Sequence, residues 1–216
     1  MSRLKQLKKL KEEKGTKVMF FDGLAFLISA AFSPYLVSVL FILIISFIYA
    51  DSLKQFLTWI LISLFFIAII PASYIFWLVE NKKVSDLHLS NHQDRKIPFL
   101  VSAVSALIGV VVLYFCKAAT PILAVTLAYA LNTIVLFIIT LYWKISIHSA
   151  LFANLIFICI VLFGDKYWPL FFLWVPLAWA RVHRKRHTPE QVLSGALIAI
   201  CVTAIVLYCF GYRIGG

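Results

Sequence analysis

The chain has 216 residues, 63% of them hydrophobic and only 13% charged, with a mean hydropathy of +0.98. A water-soluble domain carries about 25% charged residues, so this composition excludes an ordinary soluble globule. The formal net charge of +11 admits nucleic acid, anionic lipid or an anionic substrate; in a chain this apolar, membrane lipid and a phosphorylated substrate lead, and no nucleic acid partner is expected.

Residues 2–14 (SRLKQLKKLKEEK) are densely charged, with Leu4, Leu7 and Leu10 as a thin apolar stripe, and read as a short interfacial helix or a solvated tail. Residues 18–33 are apolar but interrupted by Asp22-Gly23 and closed by Ser33-Pro34. They are placed at the interface, so 1–33 forms a basic, interfacial segment ahead of an integral membrane domain at 34–211. No short apolar region followed by a small-residue cleavage site is found, so a cleaved signal peptide is not expected.

Spans are read at 34–50, 56–79, 98–116, 120–142, 148–164, 167–181 and 189–211. The runs are continuously apolar, where the strands of an outer-membrane barrel would alternate in polarity. The fold expected is all-α, a polytopic membrane bundle of six to seven transmembrane helices. The sixth span is short and holds Pro169 and Pro176, so it is expected to tilt, kink or start earlier. Pro71 is tolerable inside a membrane helix. Tyr142, Trp143, Tyr167, Trp168 and Trp179 fall near span ends, as interfacial aromatics do. Cys116, Cys159, Cys201 and Cys209 lie in or beside apolar runs without metal or disulfide spacing and are read as core residues.

Three polar segments break the pattern: Glu80–Pro98 (ENKKVSDLHLSNHQDRKIP), Lys144–Ser149 (KISIHS) and Arg181–Gln191 (RVHRKRHTPEQ). Two spans separate each from the next, so with seven spans all three share one side with the N-terminus. That side carries sixteen of the 20 Lys and Arg residues, against Lys54, Lys117, Lys166 and Arg213 opposite. Cytoplasmic loops carry the Lys/Arg excess, so the polar segments and the N-terminus are expected to face the cytoplasm, in the plasma membrane of a prokaryote.

These segments hold what phosphate-ester cleavage needs without a metal. Guanidinium forks hold charged oxygens, imidazole supplies a nucleophile near neutral pH, and a second acid protonates the departing alkoxide. The run His187-Thr188-Pro189-Glu190-Gln191 reads as a helix start, with Thr188 as N-cap, Pro189 first and Gln191 third, a capping box. His187 then lies at the positive end of the last helix, which favours a bound phosphate and a neutral imidazole. Ser146-Ile147-His148 likewise opens the fifth helix, with Ser146 as cap or phosphate donor. The charges of Arg184, Lys185 and Arg186 read as headgroup contacts. Asp86, His88, His92 and Asp94 read as solvated loop residues, the two acids positioning cations such as Arg95, rather than as a metal site.

Ala180-Arg181-x5-His187-x3-Gln191 resembles the third motif, Ser-Arg-x5-His-x3-Asp, of the type 2 phosphatidic acid phosphatase family. Ile145-Ser146-Ile147-His148 resembles its second motif, Pro-Ser-Gly-His, and Arg95-Lys96-Ile97-Pro98 resembles the end of its first, Lys-x6-Arg-Pro. The likeness covers roughly residues 80–211, in the family's order. It implies a membrane-embedded, metal-independent and cofactor-free phosphatase. His187 would be the nucleophile that forms a phosphohistidine, and His148 the general acid. Arg95, Arg181 and Ser146 would hold the phosphoryl oxygens. His88 stands where the family has the first-motif Lys, and Lys83, Lys96 or Lys144 would replace that charge. Gln191 replaces the Asp that orients the nucleophile; its oxygen can accept a ring N–H but brings no negative charge. Ala180, Ile145 and Ile147 are further departures. The substrate implied is a lipid phosphate or an isoprenyl (di)phosphate. Two other readings stay open: a phosphotransferase of the same chemistry, and a non-catalytic binder of lipid phosphate.

Overall fold

The computed structural model describes residues 3–84 and 96–214, with side chains from residue 18 onward. All regular structure among these residues is helical: α1 Arg3–Ala31, α2 Pro34–Tyr49, α3 Leu53–Leu64, a π-helical turn Phe65–Ile69, α4 Ile70–Glu80, α5 Lys96–Phe115, α6 Thr120–Thr140, α7 Ile147–Phe163, a 3₁₀ segment Asp165–Leu170, α8 Phe171–His183 and α9 Pro189–Cys209. Helices Leu53–Glu80, Lys96–Phe115, Thr120–Thr140 and Pro189–Cys209 are long and apolar enough to cross a membrane. Val18–Ala31 and Pro34–Tyr49, bent by 41° at Ser33-Pro34, make a fifth if the pair is one span. The chain is therefore an integral membrane protein by the length and composition of its helices.

Local chemistry sets the helix ends. Ser33, Ser52, Ser146 and Thr188 are the N-caps of α2, α3, α7 and α9, each accepting a backbone N–H from the first turn. At the C-terminal ends, Lys82, Lys117 and Lys185 adopt left-handed φ of 53°, 54° and 51°. Each sits in a doubly bonded turn, Lys185 N–H donating to Val182 O and Arg186 N–H to Arg181 O in the last case. Glycine usually takes this position; here a cation does, placing positive charge at the negative end of the helix dipole.

Cross-helix contacts fix the sense of each element. At their starts, α7 and α9 are joined by Ser146 N–H donating to Gln191 O at 3.2 Å. Near their ends Phe157 and Val161 line one cavity with Ala204 and Leu207, so the two run parallel. Antiparallel to both, α6 presents Asn132 to Thr203 at 2.8 Å and Leu136 to the cluster around Ile145 and Ala199. Thr203 in turn donates to Asn154 Oδ1, so a buried polar relay ties α6, α9 and α7. Its partner α5 packs Ala106 near Ala130 and Leu113 near Ile122. The π-helical turn meets α5 where Ser105 Oγ donates to Phe66 O at 2.6 Å and Gly109 makes room for the Phe66 ring. Phe32 packs on Phe152 (4.6 Å between ring centres) and Tyr49 on Phe163 (6.4 Å), so α1–α2 runs alongside α7. The segments that leave α4, α6 and α8, and the start of α1, consequently lie at one end of the bundle, here termed the basic end.

The polar interruption at Asp22-Gly23 lies within a continuous α1, and Asp22 finds a partner in His183 at 2.8 Å. Two expectations are corrected. Residues 167–181 do not form one α-helix: Asp165–Leu170 is 3₁₀, and α8 has 13 residues. Pro169 lies inside the 3₁₀ piece, where its missing N–H disrupts less. Cys116, Cys201 and Cys209 face outward and are not core residues, whereas Cys159 is partly buried and packs against the core. A lipid-facing position accepts a weakly polar thiol as readily as a core does.

Candidate functional site

The site is built where the first turns of α7 and α9 meet the last turn of α8. The capping box expected at Thr188 forms: its hydroxyl accepts from Gln191 N–H at 3.4 Å, and Gln191 Oε1 accepts from Thr188 N–H at 3.2 Å. The same Oε1 lies 3.2 Å from His187 Nδ1. The backbone bond decides the chemistry. Thr188 N–H needs an acceptor, so the amide oxygen, not its nitrogen, occupies that position. An oxygen there requires His187 Nδ1 to carry the proton. The ring is thus held as the Nδ1–H tautomer, with Nε2 as its basic nitrogen. His187 is only 7% exposed.

Across from it, Ser146 caps α7, its hydroxyl accepting from Ser149 N–H at 3.5 Å. The Ser146 carbonyl lies so close to Gly195 that an added Cβ would sit 2.8 Å from it. A glycine one turn after Gln191 therefore lets the two helix starts touch. Ser149 reinforces the seam, its hydroxyl donating to Val192 O at 2.6 Å and accepting from Trp174 Nε1 of α8 at 2.9 Å. Two helix N-termini side by side concentrate positive dipole ends in one place.

Arg181 lies in the last turn of α8 and is 8% exposed. Burying a guanidinium is costly unless acceptors meet it. His148 is the second residue of α7, half-buried, and Lys144 stands two residues before the cap, also half-buried. Arg95 lies outside the described residues, as do Asp86, His88, His92 and Asp94. The structure thus joins His187, Gln191 and Ser146 by direct bonds, and brings Arg181, Lys144 and His148 to the same end.

Sequence reasoning missed the Ser149–Val192–Trp174 seam and the Asp22–His183 pair. Ser149 was readable only as a small polar residue after the cap. Asp22 carried a better signal, as the lone carboxylate in the apolar part of α1, but its partner is 161 positions away. His183 also stacks on Trp179 at 5.0 Å, one turn earlier in α8.

No family model matches the chain, and comparison with curated proteins and with solved structures gives no match.

Proposed function

We propose that the protein is a membrane-embedded, metal-independent phosphatase acting on a lipid phosphate or isoprenyl (di)phosphate through a phosphohistidine. The observation that carries this is His187, held as its Nδ1–H tautomer by Gln191 at the start of α9, directly beside the start of α7. His187 Nε2 attacks phosphorus as the bond to the alkoxide oxygen breaks, and His148 gives that oxygen a proton. Water then attacks the phosphohistidine, His148 takes its proton, and inorganic phosphate leaves. Arg181, Ser146, Lys144 and Arg95 neutralise the phosphoryl oxygens.

Six or seven crossings suit this reading. The 17 residues of α7 span about 25 Å at 1.5 Å each, near the bilayer minimum. The 3₁₀ segment and α8 together supply roughly 32 Å, from about 2.0 and 1.5 Å per residue. With the Lys/Arg excess inside, the site faces the cytoplasm. Gln191, neutral where an acid would serve better, favours the second reading, a non-catalytic binder of lipid phosphate.

Purified protein incubated with phosphatidate, phosphatidylglycerophosphate and polyprenyl diphosphates in EDTA tests this through phosphate release. The expected result is hydrolysis that disappears in both His187→Ala and His148→Ala. Activity retained in His187→Ala overturns the phosphohistidine. Intact substrates with phospholipid still bound establish the non-catalytic reading.

A further inference from the structure

We propose that the N-terminal half of α1 is a docking arm for anionic lipid headgroups. The helix runs 29 residues, and its charges divide along its length rather than around it. Residues 3–17 hold Arg3, Lys5, Lys8, Lys9, Lys11, Lys14 and Lys17 against Glu12 and Glu13, whereas Asp22 is the single charge in 18–31. Such a helix does not lie flat with one wet and one greasy face. Its apolar half sits in the bilayer, and its cationic half leaves through the headgroup layer.

Contacts with α8 set the depth. Ala25 and Ser29 are buried at 0% and 3%, Phe21 meets Trp179 (6.2 Å between ring centres), and Asp22 meets His183 at 2.8 Å. The Arg184 guanidinium lies over the Phe26 ring at 5.1 Å. Beyond this clamp Val18, Met19 and Phe20 are 58%, 75% and 65% exposed, an apolar band suited to lipid. The cations begin immediately after it. At about 1.5 Å per residue, Lys17 and Lys14 stand roughly 1.5 and 6 Å along the axis from Val18. Both distances fall inside the Debye length of about 8 Å, within which a charged leaflet is felt. The band seats the apolar half of α1 in the bilayer, so the cationic sequence that follows it emerges at the headgroup layer, ahead of any encounter with a soluble polyanion. This inference does not depend on the phosphatase reading.

The test uses full-length protein in nanodiscs of phosphatidylcholine with phosphatidylglycerol, reading the enrichment of spin-labelled phosphatidylglycerol over labelled phosphatidylcholine at the protein boundary. Wild type is expected to enrich the anionic lipid, and high salt to reduce that enrichment. Lys11→Gln/Lys14→Gln/Lys17→Gln should lower it by about tenfold, since each cation near the surface contributes about fivefold at most. Lys54→Gln/Lys117→Gln, at the opposite end, should leave it unchanged. Circular dichroism and size-exclusion profiles identical to wild type show that the arm variant still folds. Unchanged enrichment in the arm variant overturns the proposal. So does an arm that retains soluble RNA while showing no lipid preference.

Discussion

Gln191 makes three contacts: its side-chain oxygen closes the capping box and meets the His187 ring N–H, and its backbone carbonyl accepts from Ser146 N–H. In the proposed reaction, what it cannot do is stabilise positive charge on the His187 ring as that ring takes up the phosphoryl group. Gln191→Glu keeps the side chain's length and the capping box and adds that charge. Phosphate release should rise about tenfold, equivalent to roughly 1.4 kcal/mol of transition-state stabilisation, as read from kcat in the lipid-phosphate assay; an unchanged or lower rate removes Gln191 from the nucleophile's support. Gly195→Ala tests the seam. Its Cβ would meet the Ser146 carbonyl at 2.8 Å, and backbone cannot swing aside as a side chain can. Overpacking of this kind costs about 1–3 kcal/mol. A lower melting temperature in detergent is expected, with a larger loss in kcat than in KM, because the starts of α7 and α9 are pushed apart.

The helices themselves were largely legible. Spans read at 56–79, 98–116, 120–142, 148–164 and 189–211 match helical segments within a few residues, since twenty apolar residues in a row leave the backbone no partner but itself. The caps at Ser146 and Thr188 were readable for a related reason, as a short polar side chain placed before an apolar run answers the first unpaired N–H groups. Helix C-termini were harder. Nothing in the residue type announces that Lys82, Lys117 and Lys185 adopt left-handed backbone, a conformation more costly for lysine than for glycine. Lys117→Gly is therefore expected to be neutral or to stabilise by up to about 1 kcal/mol, the dipole contact offsetting part of the gain. Lys117→Val should destabilise by about 1–2 kcal/mol, because a β-branched residue fits this region poorly. Thermal unfolding of the two variants in one detergent measures the difference; equal melting temperatures would show that the left-handed residue bears no strain.

At the scale of the molecule, the charge asymmetry and the helix senses bear on the same end. Sixteen of the 20 Lys and Arg residues lie in the segments that contacts place together or that parity assigns there. In a cysteine-free background, Lys83→Cys should react with a membrane-impermeant thiol reagent only after intact cells are permeabilised. Labelling without permeabilisation would reverse the orientation and put the site outside the cytoplasm. Alone, the sequence determined that the chain is a membrane protein of apolar helices, where several of them start, and which short segments carry the chemistry-bearing residues. Those properties follow from burial in lipid and from hydrogen bonds a few residues apart, and both are local. Only the tertiary structure decided that Gly195 lets α9 touch the Ser146 cap, that Ser149 ties α7 to Val192 and Trp174, and that Asp22 pairs with His183. The contacts between helices depend on which faces pack and at what depth, and apolar residues on nearly every face of these helices left that choice open.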